Sequence, residues 1–196
     1  MRRVPSHSLA ALVVAIAIVG CAAADRDRPP APPIATARAQ GIGSQVMVDG
    51  VVTVAPGTFD DGFALQDASG GIYVARAQDH AIELGSRVRV WGTLAAPDKR
   101  IRVEPTALQI TGQGSAPAPL KVATGDVGPA TEGRLIAVRG RVAGAIVDDR
   151  PWGTKLYVND GSGPLLVFIA AATSIDGTPY RAGQELRIVR VQRPVR

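Results

Sequence analysis

One pattern of alternating apolar and polar residues occurs twice in this chain, and it constrains the fold more than any other feature. The first copy opens with Val46-Met47-Val48-Asp49-Gly50-Val51-Val52, the second with Ile136-Ala137-Val138-Arg139-Gly140-Arg141-Val142. Phe63-Ala64-Leu65-Gln66-Asp67-Ala68-Ser69-Gly70 then matches Leu156-Tyr157-Val158-Asn159-Asp160-Gly161-Ser162-Gly163. Ile72–Val74 matches Leu165–Val167, and Leu84–Val90 matches Ala182–Ile188. The offset is 90 residues at the opening glycine, 93 at the Asp-x-Ser-Gly element and 98 from Gly85 to Gly183, a steady growth that loop insertions produce. Alternation with a period of two marks half-buried strands. The Asp-Ser-Gly clusters are turn chemistry, because Asp and Ser bond nearby amides and Gly accepts positive φ. With 22 Gly, 15 Pro and little helical periodicity beyond one or two turns at Ala77–Glu83, the chain reads as all-β.

The copies are divided at Gly112–Pro119 (GQGSAPAP), a Gly/Ser/Pro stretch. The expected organisation is a first domain over 44–112, a linker over 113–131 and a second domain over 132–196. In the first copy Gly92-Thr93-Leu94 leads into a fifth strand at Ile101–Thr111. The second copy has Arg190 where the first has Gly92, and its fifth strand is missing or very short. An open strand edge is a pairing liability. Either the first domain or a partner covers it, or the gene model is truncated.

The order of strands, the glycine in strand one and the Asp-x-Ser-Gly element closing strand two resemble the OB-fold. The pattern looks like the bacterial tandem OB domains of the nucleic-acid-binding superfamily, found on secreted and lipid-anchored proteins. The resemblance covers 44–112 and 132–196. It implies two tandem five-stranded Greek-key barrels, the second lacking its last strand or nearly so. In this fold the strand-one glycine allows the sharp coil of a small barrel, and ligands bind the face of strands two and three.

The start of the chain reads as an address. Met1-Arg2-Arg3 followed by the apolar run Leu9–Gly20 has the shape of a secretory signal peptide, and the run is too short to span a bilayer. Ile18-Val19-Gly20-Cys21 resembles the lipobox of bacterial lipoproteins, which implies cleavage after residue 20, acylation of Cys21 and attachment to a membrane. Ala22, in place of a retention Asp, implies the outer membrane, on its periplasmic side. Residues 21–43, with four prolines between 29 and 33, read as a tether.

Charge separates the copies. Met47–Gly112 holds 6 cations and 8 anions, whereas Arg134–Arg196 holds 10 cations and 5 anions. A polyanion is therefore expected at the second domain. Arg139 and Arg141 alternate with Val138 and Val142, and Arg187 with Leu186 and Ile188, so all three belong on an outer face. Arg150, Trp152 and Lys155 fall in or beside the loop between strands one and two, and Tyr157 and Phe168 on strands two and three. A cationic groove with stacking aromatics is what single-stranded nucleic acid requires. Phe59, Phe63 and Tyr73 hold the equivalent places in the first domain, flanked there by Asp60 and Asp61. Oligosaccharide binding, with Trp152 against a sugar ring, and docking of an envelope protein are the rival readings.

The chemistry of catalysis is thin. The single Cys excludes an intramolecular disulfide and a Cys-based zinc site. His7 goes with the signal peptide, which leaves His80 without an evident partner, and no nucleophile-elbow, P-loop or dinucleotide-binding glycine pattern occurs. Asp60-Asp61 and Asp148-Asp149 offer carboxylates in the same loop of each copy, but a turn rich in Asp and Gly is the simpler reading. The expectation is a binding protein and not an enzyme, with no cofactor and no metal.

Overall fold

A computed structural model of the chain describes residues 29–58, 60–76, 81–97 and 99–191. The expected signal peptide, Cys21, Phe59 and His80 lie outside the described residues. Ala31–Arg196 form one compact unit with its own apolar cores. No helix among the described residues is long and apolar enough to cross a membrane.

The first copy closes on itself. Strands β1 (Gln45–Val54), β2 (Phe63–Gln66), β3 (Gly71–Val74), β4 (Ser86–Ala95) and β5 (Arg102–Gln113) form a closed barrel in the order β1-β2-β3-β5-β4. Neighbours are antiparallel except β3 and β5. β1 serves two partners, with residues 45–51 on β4 and 51–54 on β2. Gly50 sits just before that exchange, where a Cβ would stand 3.0 Å from the Gln66 carbonyl oxygen. Only a residue without a side chain lets the strand coil so closely over β2. The inward residues of the alternation, among them Val48, Val52, Phe63, Leu65, Ile72, Val74, Val90 and Leu94, fill the interior.

The second copy stays open. Strands β7 (Leu135–Asp149), β8 (Gly153–Asn159), β9 (Pro164–Ala170) and β10 (Glu185–Val191) lie in the order β10-β7-β8-β9, which repeats β4-β1-β2-β3. A short β6 (Leu120–Lys121) runs parallel to the start of β7. Gly140 repeats Gly50, its missing Cβ leaving room for Asn159 and Val158 at 2.8 Å. Among the described residues no fifth strand joins β9 to β10, so the expected second barrel is an open sheet. The two copies differ at Arg190. Gly92, its equivalent, must be glycine because a Cβ there would lie 2.2 Å from the Glu104 carbonyl oxygen of β5.

Two segments expected to be extended are docked instead. From the presumed tether, α1 (Ile34–Arg38) buries Ile34 and Ala37 completely against the barrel. Asp67 Oδ2 accepts the Ile34 N–H at 2.8 Å, and Ser69 Oγ accepts that of Ala35 at 3.1 Å. From the presumed linker, a 3-10 turn at Thr124–Asp126 repeats this arrangement. Asp160 Oδ2 accepts the Thr124 N–H at 3.0 Å, and Ser162 Oγ that of Gly125 at 2.8 Å. The Asp-x-Ser-Gly loops are thus turns, as expected, that also cap the free amides of a helix start some 35 residues upstream. Of the helical turns expected at Ala77–Glu83, residues 77–80 lie outside the described residues, and Ile82 packs into the barrel core.

The two copies meet backbone to backbone. A Cβ on Gly71 would stand 2.0 Å from the Gly133 carbonyl oxygen. The buried Gln66 accepts the Leu135 N–H through Oε1 at 2.7 Å. Arg38 donates to the Gly71 carbonyl at 3.0 Å and pairs with Glu132 at 3.3 Å. These contacts cover the end of β2 and the start of β3.

Candidate functional site

The register of the second sheet assigns every side chain to one of two faces, since residues directly opposite in antiparallel strands share a face. Ile136, Val138, Val142, Leu156, Val158, Leu165 and Val167 form the buried face. The other face is exposed and reads in rows. Arg187 lies opposite Arg139, Glu185 opposite Arg141, and Arg141 opposite Asn159. Ala143, Tyr157 and Leu166 make the next row, and Val147, Lys155 and Phe168 the last. Six of the eight expected site residues therefore share this face: Arg139, Arg141, Lys155, Tyr157, Phe168 and Arg187. The other two, Arg150 and Trp152, sit in the turn joining β7 to β8, next to the last row.

The aromatic groups are open to solvent. Trp152 is 71% exposed, Tyr157 45% and Phe168 43%. Trp152 is held through its backbone, its N–H donating to the Asp149 carbonyl at 2.9 Å and its carbonyl accepting the Ala171 N–H at 3.0 Å. That fixes the turn while leaving the indole unburied.

The cations are partly matched already. Arg139 Nε donates to Glu185 at 2.5 Å, Lys155 pairs with Asp149 at 2.7 Å, and Arg150 pairs with Asp148 at 2.6 Å. The Arg139 hydrogen bond holds Glu185 below the usual carboxylate range, and the Arg150 hydrogen bond does the same to Asp148. Arg141 donates to the Gly183 carbonyl at 3.1 Å. Arg187 makes no hydrogen bond or ion pair among the described residues. Exposed pairs of this kind contribute little and are screened by salt.

Three of the four acids in these pairs meet close neighbours. Asp148 and Asp149 face Arg150 and Lys155. Asp60 accepts the Gly62 N–H at 2.8 Å and bonds the Tyr73 hydroxyl. No group of three or more His, Cys, Asp or Glu suited to a metal ion occurs among the described residues.

The first copy corrects one expectation. Phe63 is wholly buried in the barrel, equivalent to the core residue Leu156 and not to Tyr157. The 93-residue offset makes Ala64 the equivalent of Tyr157 and Ala75 that of Phe168. A slip of one residue in a period of two moves a side chain to the opposite face, and Phe63 falls on the wrong side of it. Leu166 and Val189 were not singled out from the sequence, yet they share the exposed face, which the same alternation would have revealed.

No family model matches the chain, and no curated protein sequence matches it. Among solved structures it is similar to one described as the hypothetical protein ygiW from E. coli, at 15% identity and a TM-score of 0.36. That similarity covers 42% of this chain and 91% of the other. So slight a likeness transfers no function.

Proposed function

We propose that this chain is a non-catalytic, lipid-anchored protein of the cell envelope, with two OB-type halves, whose second half binds single-stranded nucleic acid or another polyanion. The observation that carries the reading is the exposed face of β7 to β10, where Lys155, Tyr157 and Phe168 adjoin Arg139, Arg141 and Arg187, with Trp152 at its margin. Cations steer and hold phosphates, and flat aromatic faces stack on bases of any sequence. The anchor rests on Cys21 at the end of the apolar run, and the outer membrane on Ala22.

Fluorescence anisotropy of residues 22–196 with labelled single-stranded DNA tests the binding. The expected result is an affinity that falls steeply between about 50 and 200 mM salt, because displaced counterions drive such binding. Trp152→Ala should weaken it by roughly tenfold, the scale of one lost stacking contact of about 1–3 kcal/mol. The Arg139→Ala/Arg141→Ala double variant should flatten the salt dependence. No binding at low salt would sink the nucleic-acid reading.

One observation favours a second reading, an oligosaccharide ligand. Arg139, Arg150 and Lys155 are already paired with acids, whereas the aromatic faces are free. OB-folds take oligosaccharides as well as oligonucleotides, and binding to a sugar would hold steady as salt rises.

A further inference from the structure

Among the described residues the second sheet has two edges, β9 and β10, at the seam that β5 fills in the first copy. Position 190 lies at that seam on the inner face. The registers make its equivalence to Gly92 secure: Gly92 lies opposite Val46 on β1, and Arg190 opposite Ile136 on β7, with Val46 and Ile136 both four residues before the strand-one glycine. At Gly92 the space above Cα is filled by β5. A Cβ there would meet the Glu104 carbonyl oxygen at 2.2 Å and Val103 Cγ1 at 2.6 Å. In the second copy the same position starts a long side chain. It crosses the seam, and Arg190 Nη1 donates to the Leu166 carbonyl of β9 at 3.2 Å. One side chain on β10 is thereby bonded to the backbone of β9.

We infer that Arg190 takes the place of the fifth strand, latching β10 to β9 and keeping the open seam from pairing with a second copy of the chain. An inward-pointing charge is one of the devices by which sheets protect their edges. A strand entering in the position of β5 would have to cross the space over Arg190 Cα and displace its side chain. It would also cover a guanidinium whose only hydrogen bond among the described residues is the one to the Leu166 carbonyl. The group is already desolvated, which pushes its pKa down, and its Nε has no hydrogen-bond partner. Burying it further beneath a strand is costly unless that strand brings a carboxylate. Of the two open edges that a second copy would present, β9 (Pro164–Ala170) carries no acid.

Sedimentation velocity of residues 22–196 across a hundredfold range of concentration tests this, with circular dichroism to verify folding. Wild type is expected to remain one monomeric species. Arg190→Leu, which fills the seam without charge, and Arg190→Gly, which restores the residue of the first copy, should both associate as concentration rises. Arg190→Lys, which keeps the charge, should stay monomeric. If Arg190→Gly does not fold, Arg190→Leu decides. Folded, monomeric Arg190→Leu protein would overturn the inference, and so would a wild type that dimerises.

Discussion

The outer faces of β2–β3 and β8–β9 come from one duplicated pattern and meet opposite fates. In the first copy Ala64 is 2% exposed and Gln66 3%, and Gly71 is buried against Gly133. In the second the equivalent surface presents Tyr157 and Phe168 to solvent. At Gln66 and Gly71 the difference follows from packing one copy on the other. The contact at Gly71, Gln66 and Leu135 draws on the first copy's face, and close approach of two backbones demands small residues there. The second copy's face meets no such backbone among the described residues, and it carries Tyr157 and Phe168. Of two equivalent faces, one is thus spent on cohesion and the other stays open to solvent.

Three perturbations test that division, taken from the largest expected effect to the smallest. Gly71→Val should do most. Its Cβ would collide with the Gly133 carbonyl, a backbone group that cannot step aside, so a loss of about 4 kcal/mol or more is expected, at the far end of what single substitutions do. Urea unfolding would measure the loss, and hydrogen exchange at Leu135 should quicken, because the Gln66 acceptor is pulled away.

The second perturbation exchanges residues between the faces. Ala64→Tyr adds a ring to a covered position and should cost about 1–3 kcal/mol of stability by overpacking. Tyr157→Ala removes the ring from an open position, so stability should move by about 0.5 kcal/mol or less, while affinity for single-stranded DNA falls roughly tenfold. Equal losses of stability from the two changes would contradict the division.

The third and mildest is acidification. Burial alone would raise the pKa of Asp67, but hydrogen bonds from Ser69, Ile34 and Gly70 outweigh it and hold the carboxyl below its ordinary 3.8. Asp160 is held lower still, by the Ser162 hydroxyl and amide and by Thr124. A carboxyl that ionises more readily when folded stabilises the fold above the unfolded pKa, and that support fades as pH falls through the folded one. Thermal melts of wild type should therefore decline from about pH 4 downward. Asp160→Asn and Asp67→Asn should each start lower at neutral pH and decline less.

Much of the fold was legible because its causes are local. Alternation at Val46–Val52 and Ile136–Val142 sorts side chains by face without any tertiary information. Gly50 and Gly140 mark the coil of strand one, and Asp67 and Asp160 bond amides two residues on. The exposed face of the second copy was legible for the same reason, since Arg139, Arg141, Tyr157 and Phe168 all obey the period of two. Phe63 was misassigned because the period places residues on a face but does not say which aromatic matches which across copies. α1 was hidden because five residues are too few to show a helical period, and its helix start is capped by side chains at positions 67 and 69.

What the sequence by itself determined is the strand pattern, the duplication and the chemistry of the turns, all of which depend on neighbours a few residues apart. Only the tertiary structure decided which of two equivalent faces is covered, since that rests on Gly71 meeting Gly133 across 62 residues of chain. It also decided how the second copy ends its sheet. Arg190 and Leu166 lie 24 residues apart, and only a folded sheet brings that guanidinium onto the carbonyl of the opposite edge.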